Sequence, residues 1–205
     1  MKKVLFLVLS LFGFFVSKSQ IQVGVKAGYN LSVFNSSIPS DFYSYSSLSN
    51  FNAGLAVAVP LGRGFFAQLE SVYSGQGAHV SLTGVSGEYS FQYLNFPILL
   101  KYVSPFHVYA ETGPQLDFLL GATLTEDGFP SANIKSQTTT SGYSWAFGVG
   151  CQLPMNFGLD IRYNLGLTEV PNSNSNAYNN ASIKNNVFQV GITYMFPNLF
   201  PADKN

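Results

Sequence analysis

Apolar and polar residues alternate without interruption at the start of the chain. From Ile21 to Val33 every second residue is Ile, Val, Ala, Tyr or Leu, and the residues between them are Gln, Gly, Lys, Asn or Ser. A period of two sustained over thirteen residues predicts a β-strand with two unlike faces. The strand is longer than the five or six residues typical of globular proteins, and it is long enough to cross a bilayer at a tilt.

The same alternation recurs seven more times. Each segment has one face of large apolar side chains and an opposite face of small or polar ones. In one of them, Trp145 and Phe147 belong to the apolar face, and Gly148 and Gly150 belong to the opposite face. The pattern therefore predicts eight strands, at residues 21–33, 50–60, 64–74, 88–103, 106–121, 142–153, 156–168 and 186–196.

The connections between these strands alternate in length. Short turns fall at 60–64, 103–106 and 153–156, and long polar loops fall at 34–49, 75–87, 122–141 and 169–185. Short turns at one end and long loops at the other are typical of outer-membrane barrels. We therefore predict an all-β fold, an eight-stranded antiparallel up-and-down transmembrane β-barrel in the size class of OmpA and OmpX.

The amino-acid composition indicates which of the two strand faces lies on the outside of the barrel. Only 10% of the residues are charged, against about 25% in soluble domains. Hydrophobic residues make up 46%, which excludes disorder, and a net charge of zero without a basic cluster beyond the N-terminus argues against nucleic-acid binding. A soluble barrel would turn its polar face outward, but that face is rich in glycine and poor in charge. We therefore expect the apolar face to contact lipid.

The N-terminus has the layout of a secretory signal peptide. Two lysines precede thirteen apolar residues at 4–16, and small residues at Ser17 and Ser19 provide a cleavage site after Ser19. Thirteen apolar residues are too few for a membrane-spanning helix. No cysteine stands directly after them at the cleavage site, which excludes a bacterial lipoprotein. The predicted organisation is a signal peptide at 1–19, a barrel at 20–196 and a short periplasmic tail at 197–205.

Eight polar residues are predicted to point into the lumen. An eight-stranded barrel is only just wide enough for side chains, and unpaired buried charges are costly. We therefore expect a hydrogen-bonded network that plugs the lumen, and the alternative is a narrow ion path. The predicted set is Lys26, Gln68, Glu70, Lys101, Glu111, Asp117, Asp160 and Arg162.

The residues of this chain offer little support for a catalytic site or a metal site. Enzymes that add acyl chains to lipid A or remove them need a histidine beside a serine or carboxylate at the outer rim. The chain has two histidines; His107 is placed at a short turn, and His79 near Ser81 and Glu88 has no diagnostic spacing. Cys151 is interpreted as a small apolar residue on the lipid-facing side of its strand. We expect no catalytic residue, no metal site and no cofactor, with a lipid A-modifying enzyme as the least favoured alternative.

The first long loop has the composition of a binding surface. Phe42, Tyr43 and Tyr45 stand among serines, and rigid aromatics beside adaptable hydroxyls suit recognition of protein or glycan. The alternative is an ordinary hydrated surface loop.

Five stretches resemble the PorT-like outer-membrane β-barrel family of Bacteroidetes. They are FFAQLESVYSGQGA (65–78), YLNFPILLKYV (93–103), FHVYAETGPQLDFLLGA (106–122), FGLDIRYNLGLTEV (157–170) and VFQVGITYMF (187–196). The chain departs from that family in having Asn95 where a glutamate is usual, and in continuing beyond Phe196. The family takes its name from a component linked to type IX secretion, so the resemblance implies an outer-membrane barrel and an accessory role in that secretion.

These observations together favour a non-enzymatic barrel of the cell outer membrane. Its expected role is structural, or is carried out by its loops, and the alternative is a small channel similar to a porin. The expected partners are outer-membrane lipid and envelope or secretion proteins that contact the extracellular loops or periplasmic turns. We expect a monomer and no nucleic-acid partner.

Overall fold

Eight long antiparallel strands close into a ring in the computed structural model, which describes residues 21–36, 44–82, 85–171 and 183–197. A ninth strand of two residues, β6, pairs with the end of β5. The strands are β1 Gln22–Ser36, β2 Ser44–Gly62, β3 Phe65–Leu82, β4 Val85–Val103, β5 Val108–Glu126, β6 Ala132–Asn133, β7 Ser141–Gln152, β8 Phe157–Gly166 and β9 Ile183–Met195.

Each long strand pairs with its neighbours along the chain. The ring runs β1, β2, β3, β4, β5, β7, β8 and β9, and it closes where β9 pairs with β1. Tyr29 of β1, for example, lies opposite Phe51 of β2 on one side and Val190 of β9 on the other. This topology confirms the predicted eight-stranded up-and-down barrel.

Three tight connections define one end of the barrel, which we call the short-turn end. Gly62, Arg63 and Gly64 join β2 to β3 with positive φ angles at all three residues. His107, with a φ of 64°, precedes β5, and a tight turn at Pro154–Asn156, with positive φ at Met155 and Asn156, joins β7 to β8. The three predicted short turns are therefore confirmed.

At the opposite end, the long-loop end, the strands continue further than the sequence pattern indicated. The predicted loop at 75–87 is mostly strand, because β3 extends to Leu82 and β4 begins at Val85. The predicted loop at 122–141 contains the end of β5, the short β6 and a 3₁₀ turn at Lys135–Gln137. Beyond the apolar zone the outward side chains, such as those of His79 and Ser81, are polar and exposed, so the lipid-facing pattern ends while the backbone hydrogen bonds of the ladder continue.

The two other long loops are likewise shortened by strand. β1 continues to Ser36 and β2 begins at Ser44, within the predicted loop at 34–49. In the region predicted as loop 169–185, Glu169 and Pro171 form isolated bridges and β9 begins at Ile183. Residues 37–43 and 172–182 lie outside the described residues.

The faces of the strands separate as the alternation predicted. Large apolar side chains such as Leu55, Val149 and Ile161 are about half exposed on the outside of the ring, whereas Asn30 and Arg162 are buried within it. Among the described residues, no helix is long and apolar enough to cross a membrane. The predicted signal peptide at 1–19 and nearly all of the tail at 197–205 lie outside the described residues and stay predictions.

Aromatic side chains form contacts at two levels of the outer wall. Near the short-turn end Phe65 packs on Tyr102 and Phe157 on Tyr194, each with ring centroids 4.9 Å apart. Toward the long-loop end two further pairs are 5.6 Å and 5.8 Å apart: Phe51 with Tyr73, and Phe96 with Phe118. Two aromatic levels that flank an apolar band are the girdles expected at the two membrane interfaces.

A charge placed in the middle of this band should destabilise the barrel. Ile161 is the fifth of the ten residues of β8 and faces outward. We expect Ile161→Arg to lower the free energy of unfolding by about 2–4 kcal/mol, because the guanidinium would lie at the bilayer midplane. Denaturant unfolding from lipid vesicles measures this difference.

Met155 provides the matched control, since it is 78% exposed in the turn at the membrane edge. We expect Met155→Arg to cost about 0–1 kcal/mol. Equal losses from the two arginines would contradict a lipid-facing band centred on Ile161.

Candidate functional site

A compact group of charged side chains fills the lumen on the short-turn side of its middle. We call it the ionic cluster. All of its members are buried, and they project from five different strands around the ring. Its cations are Lys26, Lys101 and Arg162, its carboxylates are Glu70, Glu111 and Asp160, and Gln68 lies beside them.

Arg162 is the centre of the ionic cluster. Its two terminal nitrogens donate to the two oxygens of Glu70 at 2.7 and 2.8 Å, and its Nε donates to Glu111 Oε1 at 3.0 Å. A planar guanidinium suits this arrangement because it can hold one carboxylate with two parallel hydrogen bonds and still reach a second. The contacts tie β8 to β3 and β5 across the lumen.

The two lysines complete the pairing. Lys26 Nζ donates to Asp160 Oδ2 at 3.0 Å and lies 4.0 Å from Glu70 Oε1. Lys101 Nζ lies 4.0 Å from Glu111 Oε2 and 3.5 Å from the centroid of the Tyr109 ring, a cation–π arrangement. Three cations thus meet three carboxylates, and the ionic cluster is neutral as a whole.

Two glycines make room for these groups. A Cβ on Gly148 would lie 2.9 Å from the Glu111 side chain, and one on Gly191 would lie 3.0 Å from Asp160 Oδ2 and 3.1 Å from Lys26 Cε. The absence of a side chain at these inward positions therefore lets the ionic cluster approach the wall.

A layer of amides and hydroxyls lies next to the ionic cluster on the long-loop side. Asn30 accepts hydrogen bonds from Asn52 at 2.6 Å and Gln189 at 3.0 Å, and it donates to Ser74 at 2.9 Å. Gln76 also donates to Ser74, at 3.0 Å. The predicted lumen set does not include this layer, although Asn30, Asn52, Ser74 and Gln189 stand on the predicted polar faces; Gln76 falls in the predicted loop at 75–87.

A group of apolar side chains, which we call the aromatic cap, closes the lumen at the long-loop end. Phe91 is 1% exposed, with ring centroids 5.8 Å from Phe34 and 6.3 Å from Tyr93. The rest of the buried group is Ala78, Leu119, Ala122 and Ile183. The sequence pattern predicts lipid contact for the large apolar faces, so the cap was not predicted. The signal was present: residues 91 and 93 share parity with Asn95 and Lys101, which point inward.

At the short-turn end the lumen opens into a vestibule of about 510 Å³. Lys101 and Tyr109 line it where it meets the ionic cluster, and His107, Met155 and Phe196 line it nearer the turns. The layers from this end are therefore the vestibule, the ionic cluster, the amide layer and the aromatic cap.

Asp117 does not join the ionic cluster with which the sequence analysis grouped it. It lies further along β5, opposite Asn95 of β4 and Gly142 of β7, and it accepts a hydrogen bond from Gln115 at 2.6 Å. Within the described residues, no lysine, arginine or histidine lies within 4.0 Å of its carboxylate.

The remaining candidates do not assemble a catalytic site in the described part of the chain. His79 is on β3 rather than in a loop, and its Nδ1 lies 3.7 Å from Glu88 Oε2 on the neighbouring strand. No group of three or more His, Cys, Asp or Glu side chains is placed to hold a metal among the residues described. Of the predicted loop-binding residues, Tyr45 belongs to β2, whereas Phe42 and Tyr43 lie outside the described residues.

Comparison with known proteins gives a family and a fold. The sequence profile described as "Outer membrane protein beta-barrel domain" matches residues 16–172. Among solved structures, the Neisserial surface protein A (NspA) matches 85% of this chain and 97% of its own at 13% identity, with a TM-score of 0.51. The outer membrane protein OprG of Pseudomonas aeruginosa matches 87% and 97% at 14% identity, with a TM-score of 0.50. No curated protein sequence matches significantly.

Removing Arg162 should destabilise the barrel more than removing the whole ionic interaction. We expect Arg162→Met to lower the free energy of unfolding by about 3–5 kcal/mol, because Glu70 and Glu111 would stay buried without their main cationic partner. The triple variant Arg162→Met, Glu70→Gln and Glu111→Gln should recover a large part of that loss. Denaturant unfolding in detergent micelles compares the variants, and a triple variant no more stable than the single one would contradict this account.

Proposed function

The chain belongs to the outer membrane protein β-barrel domain family, and from that premise we propose that it is a non-conducting, non-enzymatic barrel that acts through its ends. The observation that carries the proposal is the continuous filling of the lumen. The ionic cluster, the amide layer and the aromatic cap follow one another along the barrel axis, and their side chains are buried.

The alternative of a small channel requires an open path through these layers. Arg162 projects from β8 and contacts Glu70 on the opposite side of the ring as well as Glu111 on β5, so an ion would have to displace it. On the long-loop side the ion would also have to displace Phe91, which is surrounded by other apolar side chains. The described residues provide no group that would offset the cost of displacing either side chain.

Purified, refolded barrel should give no reproducible single-channel steps in planar lipid bilayers. A large porin inserted under the same conditions serves as the positive control for insertion and recording. Discrete, repeated conductance steps from the wild-type protein would refute the plugged lumen and favour the channel.

The long-loop end is proposed to face outside the cell, with the short-turn end in the periplasm. Phe129 is 67% exposed at the long-loop end, and Met155 is exposed in the β7–β8 turn. In a Cys151→Ala background, we expect Phe129→Cys to react with a membrane-impermeant maleimide on intact cells and Met155→Cys to react only after the outer membrane is opened. The reverse labelling pattern would invert the orientation.

A finer proposal follows from the resemblance to the PorT-like family of Bacteroidetes, which is an accessory role in type IX secretion. The extracellular aromatics Phe42, Tyr43 and Tyr45 are the proposed contact for an envelope or secretion protein. We expect a strain without this barrel to release less type IX cargo, and the triple alanine variant to lower release in the same direction while it still inserts. Unchanged cargo in the deletion strain would remove the secretion role without affecting the plugged barrel.

The non-enzymatic part of the proposal is tested on lipid A. The described imidazole nearest the long-loop end, His79, pairs with Glu88 and has no serine or threonine hydroxyl as a partner among the described residues. We expect identical lipid A mass spectra from the wild-type and deletion strains. A lost or gained acyl chain that depends on His79 would favour the enzyme instead.

A further inference from the structure

The charge balance of the lumen changes between its centre and its long-loop side. The ionic cluster is neutral by itself, whereas the Asp117 carboxylate lies outside it and accepts a hydrogen bond from an uncharged group, the Gln115 amide, at 2.6 Å. A largely enclosed carboxylate without a cationic partner is costly, and such groups in proteins are usually paired or bound to a metal. A bound cation beside Asp117 would therefore lower the cost of enclosing this carboxylate.

A small cavity of about 40 Å³, which we call the Asp117 cavity, adjoins this carboxylate. One water molecule needs roughly 10–15 Å³ by the same measure, so the cavity has room for one ion together with one or two waters. Among its lining residues are Asp117 from β5, Ser144 from β7, Asn164 from β8, Asn185 from β9 and Glu169 from the segment that follows β8.

Unpartnered amides independently indicate a ligand in the Asp117 cavity. Asn164 is 2% exposed, and neither its Oδ1 nor its Nδ2 has a hydrogen-bond partner within the described residues. The Oδ1 of Asn185 is also without one, although its Nδ2 donates to Gln76 at 2.6 Å. A buried polar atom without a partner costs about 1–3 kcal/mol, so two such residues around one cavity require an explanation.

We propose that the Asp117 cavity binds one Ca²⁺ ion, with the Asp117 carboxylate and the side-chain oxygens of Asn164 and Asn185 as its protein ligands. Calcium takes six to eight oxygens from carboxylates, amides and water in flexible geometry. Magnesium demands a near-ideal octahedron, and softer metals prefer nitrogen or sulfur, which the lining residues do not supply as histidine or cysteine. Glu169 at the rim supplies a second negative charge, so the two carboxylates balance a divalent ion.

This site differs from a cluster of three or more histidine, cysteine, aspartate or glutamate side chains, which the described residues do not form. Here two carboxylates are far apart in sequence, and the other donors are amides. A bound ion would link β5, β8 and β9 just below the aromatic cap. It would therefore fasten the long-loop end of the barrel without entering the ionic cluster.

The direct test is equilibrium dialysis of the refolded full-length barrel against ⁴⁵Ca²⁺ in nonionic detergent, which excludes calcium bound by lipopolysaccharide. We expect one equivalent to bind with a dissociation constant of about 10⁻⁴–10⁻³ M, the range of extracellular calcium modules. Terbium provides a second readout, because Tyr93 and Tyr143 line the cavity and can sensitise its luminescence. We expect Ca²⁺ to displace terbium and Mg²⁺ to displace it far less.

The variants separate a specific site from weak binding elsewhere. Asp117→Asn keeps the shape of the side chain and should weaken calcium binding at least tenfold, whereas Asn164→Asp adds a carboxylate and should strengthen it severalfold. Asp127→Asn is the matched control, because Asp127 is an exposed acid at the same end and does not line the cavity. Heat-modifiable migration in detergent gels verifies that each variant is folded.

Three results would overturn the proposal. They are the absence of bound ⁴⁵Ca²⁺ at millimolar concentration, wild-type affinity in folded Asp117→Asn, and affinity in folded Asn164→Asp no higher than in the wild type. Loss of binding in Asp127→Asn to the same degree would likewise place the ion outside the cavity. Each of these outcomes leaves the plugged barrel itself intact.

Discussion

The structure depends on the closure of one sheet. In hydrocarbon there is no water to pair with backbone N–H and C=O groups, so a sheet that crosses a membrane must have no free edge. Pairing of β1 with β9 joins the first strand to the last and removes both edges. Once the ring is closed, every strand has an inner and an outer face, and eight strands leave a lumen only as wide as the side chains that fill it.

The narrow lumen makes the interactions across it interdependent. Arg162 can satisfy Glu70 and Glu111 together because the opposing walls lie within reach of one side chain. The neutral ionic cluster then leaves Asp117 as a carboxylate without a charged partner in the described wall. The Asn164 and Asn185 side chains, which also have polar atoms without a partner, line the same cavity as this carboxylate.

Particular elements show how far the sequence pattern reached. It predicted the strand at 21–33 and the three short turns, because lipid imposes a strict alternation there and a tight turn needs few residues. It was wrong at 75–87, where β3 and β4 continue beyond the lipid and the outward side chains, such as those of His79 and Ser81, are polar. It also missed Phe91 and Tyr93 as lumen residues, because an apolar side chain in the cap has the same character as one that faces lipid.

The sequence by itself determined which face of each strand contacts lipid, because the alternation along each strand and the scarcity of charge are both visible without the fold. Only the tertiary structure decided which inward residues meet. Arg162 and Glu70 are 92 positions apart, and their contact depends on the register and tilt of strands on opposite sides of the ring. Asp117 shares the parity of Glu111 on the same strand, yet its height along the barrel separates it from the ionic cluster. A period of two specifies inside or outside, but it carries no information about height.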